Sequence, residues 1–364
     1  MFYHFHNKKG WMNDPNGLVF YKGKYHAFFQ HYPYAPRWGQ MHWGHAISSD
    51  LIHWEELDIA LFPDMEYEND GGCFSGSAIE KDGRLYLFYT SVSHEMKQTQ
   101  SVAWTDDGIT FHKYEGNPII KESPFKDNRE FRDPKVFKYG DEYRMVVGAG
   151  YYNIGKILLY KSKDLLNWEY IGEILSDGKY GGVIECPDLF KLEDKWVLLF
   201  SSTKALPHRV CFATGNFDGE KFIFDKDENG DNKTFPIEIG PDFYAPQTFE
   251  DEEGRRILIA WMYNWNRSAR PGQEQAGAFT IPRQLEFDLN DNLTMFPVEE
   301  ACGLLKKESR FVEYAFGRLR IVFEGKLIWD KAYKEEPETV TLEDVGVVEV
   351  FVDGGKETIT TYIC

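Results

Sequence analysis

The chain has 364 residues, a formal net charge of −18 and 16% aromatic residues. The length allows one to three domains with a substantial core, and the acidic balance excludes nucleic acid and anionic membrane as natural partners. The aromatic content suits strands and ligand-facing surfaces more than a generic helical protein.

Five cysteines, Cys73, Cys186, Cys211, Cys302 and Cys364, are scattered singly with no CxxC pair. That pattern argues against a disulfide framework or structural zinc and suits a reducing compartment. The first motif begins at Trp11, which leaves no room for a signal peptide, and no apolar run reaches membrane-spanning length. The expectation is a cytoplasmic protein with no membrane partner; a homo-oligomer is compatible with it.

Taken in order, the chain opens on Trp11-Met12-Asn13-Asp14-Pro15-Asn16-Gly17, followed by an apolar strand. Pro15 removes a backbone donor and favours extended backbone at Asp14, which should stand at a strand mouth. The form recurs as Arg132-Asp133-Pro134-Lys135, as Glu185-Cys186-Pro187-Asp188 and, without the acid, as Ala245-Pro246-Gln247. Three of these four strand starts carry a carboxylate at or next to the residue before proline, which turn chemistry alone does not explain.

A second element repeats as well. Ser48-Ser49-Asp50-Leu51, Thr105-Asp106-Asp107-Gly108 and Ser162-Lys163-Asp164-Leu165 begin at 48, 105 and 162, with a weaker echo from Gly215. A fixed period of this size with strand-rich units reads as propeller blades. Hairpin signals such as Tyr21-Lys22-Gly23-Lys24-Tyr25 and Glu80-Lys81-Asp82-Gly83-Arg84 fall inside each unit, and long helix-period segments are absent. Five strand starts are expected, at 13–20, 74–80, 131–137, 185–190 and 243–249. In a propeller the first strand of each blade lines the central channel, so Asp14, Asp133 and Glu185 should meet around one funnel. The predicted architecture is all-β: a five-bladed β-propeller over 1–294, a linker over 295–310, and a small, shortened β-sandwich-like region over 311–364 with strands at 316–324, 339–342, 347–353 and 358–362.

Together these stretches resemble glycoside hydrolase family 32, the β-fructofuranosidases. The likeness is carried by WMNDPNG at 11–17, FFQ at 28–30, WGQMHWGHAISSDLIHW at 38–54 and FSGSA at 74–78. It continues through FRDPK at 131–135, ECPDLF at 185–190, DFYAPQTF at 242–249 and RRILIAWM at 255–262. The resemblance implies a five-bladed propeller followed by a β-sandwich, which agrees with the blade count. It also implies that Asp14 is the nucleophile, Glu185 the general acid/base and Asp133 a transition-state stabiliser. Trp11, Asn13, Gln30, Trp38, Phe74, Ser75 and Arg132 would bind the sugar. The implied activity is retaining, exo-acting hydrolysis of terminal β-D-fructofuranosides such as sucrose and short fructo-oligosaccharides. Two alternatives stay open: a sucrose-6-phosphate hydrolase, with Lys204, His208 and Arg209 as candidates for a phosphate, and a non-catalytic glycan-binding propeller.

A retaining glycosidase needs an attacking carboxylate and a proton-donating carboxylic acid about 5 Å apart. The acid must keep its proton near neutral pH, so Glu185, facing Asp14, is expected to be the raised group. No metal and no cofactor are expected. Asp225-Lys226-Asp227-Glu228-Asn229-Gly230 starts like a calcium loop, but Pro236 stands where its twelfth-position Glu should be. His42 and His45 lack a third ligand.

Overall fold

The computed structural model describes residues 3–126, 128–204, 209–262 and 272–363. Strands dominate, and the helical turns among the described residues are short 3-10 segments such as Glu66–Glu68 and Glu299–Leu304. Among these residues no helix is long and apolar enough to cross a membrane.

Five successive antiparallel sheets of at least four strands account for most of the chain. The first holds Gly10–Tyr21, Lys24–Tyr32, His42–Ser48 and Trp54–Glu56, and the second Gly72–Lys81, Arg84–Ser93, Lys97–Thr105 and His112–Lys113. Phe131–Tyr139, Glu142–Tyr151, Ile154–Ser162 and Glu169–Asp177 make the third, and Ile184–Leu192, Lys195–Ser202, Val210–Phe217 and Phe222–Phe224 the fourth. The fifth comprises Tyr244–Glu250, Arg256–Trp261, Arg283–Phe287 and Leu293–Pro297. Its last strand carries the sheet to Pro297, into the segment read from sequence as a linker.

The opening strands of consecutive sheets touch one another in turn, and the fifth returns to the first. Side chains stitch this ring. Gln247 accepts from the Leu18 amide at 3.1 Å and donates to the Gly76 carbonyl at 2.8 Å. Ser77 donates to the Pro134 carbonyl at 2.8 Å, and Asp188 accepts from the Thr248 amide at 2.7 Å. A two-residue strand, Gln275–Ala276, lies parallel to Gly10 and Trp11 and ties the late chain to its start.

The recurring Ser/Thr-x-Asp element forms the turn between the third and fourth strands of a sheet. Asp50 accepts from the Ile52 and His53 amides at 3.0 and 2.8 Å, and Asp164 from the Leu166 and Asn167 amides at 2.9 and 2.8 Å. Asp107 and Asp218 make equivalent pairs, and Asp288 accepts from the Asn290 and Asn292 amides. A short acidic side chain imitates a backbone turn here, which is why an aspartate recurs at this turn in each of the five sheets, with Ser or Thr two residues before it in the first three. Residues 225–232, the calcium-loop look-alike, close as a hairpin with Asp227 accepting from the Asn229 and Asp231 amides.

Two three-stranded sheets follow: Val312–Ala315, Arg318–Phe323 and Lys326–Ala332, then Thr339–Asp344, Val347–Val352 and Glu357–Tyr362. They share an apolar cluster of Phe311, Leu319, Ile321, Val348, Val350, Val352, Ile359 and Ile363. The last sheet is moored to the fifth by a buried ionic network. Arg283, fully buried, meets Glu238 at 3.0 Å and Glu349 at 3.3 Å, and donates to Thr360 at 2.7 Å. His4 joins it through Glu349 at 3.3 Å and Asp344 at 3.2 Å.

Candidate active site

Each of the five opening strands is bulged relative to its partner at the same level, and the first carries a second bulge between Asn16 and Val19. The shared bulges lie between Met12 and Pro15, Phe74 and Gly76, Arg132 and Lys135, Glu185 and Asp188, and Tyr244 and Gln247. A bulge tolerates proline, which has no amide to give to the ladder. In the second sheet Gly76 takes the proline's place, because a Cβ there would lie 1.8 Å from the Phe88 carbonyl oxygen. The residues before the other prolines, Asp133, Cys186 and Ala245, have φ of 64°, 47° and 50°. Left-handed backbone is uncommon for such residues and concentrates where side chains are aimed for function. Asp14 is not among the left-handed residues.

The bulges sort the site residues into two levels. Immediately before the proline or its glycine substitute stand Asp14, Ser75, Asp133, Cys186 and Ala245. One residue earlier stand Asn13, Phe74, Arg132, Glu185 and Tyr244. Neighbours in each level bond to one another. Asp14 accepts from Ser75 Oγ at 2.6 Å, and its other oxygen accepts from the Asn13 amide at 2.9 Å. Asp133 Oδ2 accepts from the Cys186 amide at 2.8 Å, while its own amide donates to Thr90 at 3.0 Å. The Cys186 thiol lies 3.5 Å from Asp133 Oδ2 and 3.6 Å from Asp14 Oδ2, so it can donate to only one at a time. In the outer level Glu185 is gripped from both sides. Arg132 donates to its Oε1 at 2.8 and 3.1 Å, and the Tyr244 hydroxyl donates to its Oε2.

Electrostatics follow from this crowding. Burial pushes the Asp133 carboxyl up to about 7; Arg132 works against that, and the charges of Glu185 and Asp14 add to it. Burial also raises Asp14, opposed by its bonds from Ser75 and Asn13 and assisted by Glu185. Burial thus acts on the two aspartates, which the sequence did not single out for it. The Cys186 thiol is raised well above its ordinary value by burial and by the surrounding acids, so it is no nucleophile. Tyr244 is likewise held protonated by burial and by Glu185, which keeps it a donor.

The remaining sequence candidates fall into place around this centre. Trp11 donates its indole N–H to Asn13 at 2.7 Å and packs edge-on against Trp261, so it braces the Asn13 amide. Gln30 is buried and donates to the Cys73 carbonyl at 2.9 Å. Trp38, 40% exposed, meets Phe74 edge-to-face at 6.1 Å and forms one aromatic wall. Lys204 and Arg209 lie on the loop after the second strand of the fourth sheet; His208 is outside the described residues. Tyr244, Thr90 and Gln98, whose Oε1 accepts from the Phe131 amide at 2.8 Å and from Arg132 at 3.3 Å, were missed. Tyr244 was legible, because it occupies in its strand the place Glu185 occupies in the fourth.

The Glycosyl hydrolases family 32 N-terminal domain model matches residues 4–297, and the chain belongs to that family. It is 41% identical over 325 residues to a sucrose-6-phosphate hydrolase of Zymomonas mobilis and 40% identical over 330 residues to a levanase of Bacillus subtilis. Each alignment takes in 82% of this chain, but only 62% and 46% of those relatives' own length. A solved Bombyx mori GH32 β-fructofuranosidase superposes with a TM-score of 0.87 at 30% identity, covering 99% of this chain and 88% of that one.

Proposed function

We propose that this chain is a retaining, exo-acting β-fructofuranosidase, with Asp14 as nucleophile, Glu185 as general acid/base and Asp133 as stabiliser of the transition state. The five large sheets are the blades of a β-propeller whose opening strands surround its axis. Their cyclic contacts support that reading, as does the bulge at one level in all five. The two small sheets of 311–363 are a reduced sandwich. The substrate is a saccharide, and the free thiols Cys73, Cys186, Cys211 and Cys302 suit a cytoplasmic setting.

The observation that carries the chemistry is the two-level carboxylate cluster. Asp14 is held by Ser75 and Asn13 with its oxygens fixed for in-line attack on the anomeric carbon of a fructosyl unit. Glu185, held by Arg132 and Tyr244, gives its proton to the departing glycosidic oxygen. The bond from that carbon to the leaving oxygen breaks as the ester to Asp14 forms. Ester formation removes the Asp14 charge, so Glu185 is better able to ionise and then takes a proton from the incoming water. Asp133 remains hydrogen-bonded to the Cys186 amide and binds sugar hydroxyls whose bonds tighten as the oxocarbenium character develops. The aromatic wall of Trp38 and Phe74 packs the apolar face of the ring.

The test is fructose release from sucrose by the parent, Asp14→Asn and Glu185→Gln. Both variants should lose at least about a thousandfold in kcat. Full activity in either would refute the assignment, and binding of fructosides without turnover by the parent would favour a glycan-binding propeller. A sucrose-6-phosphate hydrolase is favoured by one observation, the name of the Zymomonas mobilis relative. Comparing kcat/KM for sucrose and its 6-phosphate separates the two.

A further inference from the structure

Between the second and third sheets, apolar packing gives way to a row of buried polar side chains near the site. On the face of the second sheet turned to the third, Phe88 and Val102 join the apolar cluster of Phe131, Val136 and Met145. Two residues along each strand toward the site, the same face carries Thr90 and Gln100, which stand directly opposite each other. Both are fully buried, and Gln98, two residues further on, is buried as well. A polar side chain between two sheets costs stability unless it is hydrogen-bonded. These three are, and their partners belong to one segment. Gln98 Oε1 accepts from the Phe131 amide at 2.8 Å, and Gln100 Nε2 donates to the Phe131 carbonyl at 2.8 Å. Thr90 Oγ1 accepts from the Asp133 amide at 3.0 Å and donates to Gln100 Oε1 at 2.8 Å.

These bonds meet a need that the third sheet leaves open. Phe131–Tyr139 is an edge strand of that sheet, and its bulge between Arg132 and Lys135 takes backbone groups out of the ladder. Asp133, within the bulge, has a φ of 64°, a conformation that an aspartate keeps only where its surroundings fix it. The circuit runs from the Asp133 amide through the Thr90 hydroxyl and the Gln100 amide to the Phe131 carbonyl, closing on the segment where it began. Gln100 takes the hydroxyl proton, so a Thr90 lone pair is left for the Asp133 amide. The Asp133 backbone is thus held from the second sheet, while its carboxylate is held from the fourth by the Cys186 amide at 2.8 Å. Packing alone would be met by valine, as at Val102 on the same face.

We infer that Thr90, oriented by Gln100, is a positioning residue for Asp133: buried away from the substrate, it fixes the backbone from which that carboxylate is aimed. The inference rests on the glycosidase reading in one respect, the role of Asp133 in the transition state. A misdirected carboxylate loses bonds that tighten only as the oxocarbenium character develops, so the effect falls on kcat rather than on substrate binding.

The experiment compares Thr90→Val, Thr90→Ser and Gln100→Met with the parent on sucrose. Thr90→Val keeps the shape and removes the hydroxyl; it should lower kcat about tenfold to a hundredfold with KM within about twofold. Thr90→Ser keeps the hydroxyl and should recover most of kcat. Gln100→Met removes the acceptor of the Thr90 proton and should lower kcat about threefold or more, which keeps the test open if Thr90→Val does not fold. In Asp133→Asn, adding Thr90→Val should cost no more than about a further twofold, because nothing is left to position. Hydrogen exchange in the peptide that carries Phe131, Arg132 and Asp133 gives a readout without turnover: it should quicken in Thr90→Val and not in Thr90→Ser. If the parent releases no fructose, or Asp133→Asn keeps full activity, the glycosidase reading fails by itself and exchange decides: faster exchange in that peptide alone supports the positioning, and unchanged exchange overturns it. With an active parent and an impaired Asp133→Asn, full kcat in both Thr90→Val and Gln100→Met would overturn it. So would a loss that Thr90→Ser shares, or one that is undiminished in Asp133→Asn.

Discussion

Replacing Asp133 by Asn should stabilise the folded protein, and more so as the pH rises. Asp133 is 6% exposed, and its carboxyl is held at about 7 against an ordinary 3.8, burial being the main cause. The sign follows from proton linkage. A carboxyl that binds its proton more tightly when folded loses stability for the fold as pH climbs from its unfolded value through about 7. From those two values the ionisation of Asp133 costs about 1.6 kcal/mol at pH 5 and about 4 kcal/mol at pH 8. Asn keeps an oxygen for the Cys186 amide and removes the charge. The stability gain of Asp133→Asn over the parent, from urea unfolding followed by fluorescence, should therefore grow by about 2–3 kcal/mol between pH 5 and pH 8. A gain that is flat across this range, or that shrinks as pH rises, would refute the assignment of the raised carboxyl to Asp133. If Asp133 has the proposed role in the transition state, activity should be lost in the same variant.

The other predictions probe the supports of the site and of the fold. Because the acid cluster holds a proton up to about pH 7 through Asp133, kcat/KM for fructoside cleavage should fall as pH rises above that value; a flat profile to pH 9 would contradict it. Tyr244→Phe removes one of the donors on Glu185 and should lower kcat about tenfold and move the pH profile, with Tm little changed. Asp164→Ala strips the acceptor from two turn amides and should cost about 1–2 kcal/mol in unfolding experiments while sparing kcat. Glu349→Gln leaves Arg283 and His4 facing one charge fewer and should cost about 3 kcal/mol. Burial alone would lower His4, but Asp344 and Glu349 push it up to about 9. Its contribution is therefore complete below its ordinary 6.5 and is lost as pH rises through about 9.

Much of the site was legible because proline marks the bulge in four of the five opening strands. Reading the residues before each proline located Asp14, Asp133 and Glu185 together. It did not separate the two levels, although Arg132, Glu185 and Tyr244 each stand two residues before a proline and the two aspartates one. Tyr244 was passed over because its strand lacks an acid, although its place before Ala245-Pro246 matches that of Glu185. The second sheet hid its equivalent position because Gly76 replaces proline for reasons of backbone approach that sequence does not display. That burial would raise the two aspartates was also illegible, as it depends on how the opening strands close around them. The strand Gln275–Ala276 is two residues long, too short for any periodicity, yet it joins the late chain to the first strand. The edge strand Lys326–Ala332 was missed for a related reason: its exposed and half-buried residues give no alternation.

The central claim is that Asp14 attacks and Glu185 assists. The most direct measurement is mass spectrometry of Glu185→Gln after brief incubation with a fructoside bearing a good leaving group, which needs no acid to depart. The account predicts one added hexosyl residue on the peptide that carries Asp14, and none when Asp14→Asn is combined with Glu185→Gln. An adduct on another residue, or fructose release with no covalent species while Asp14→Asn remains active, would contradict it.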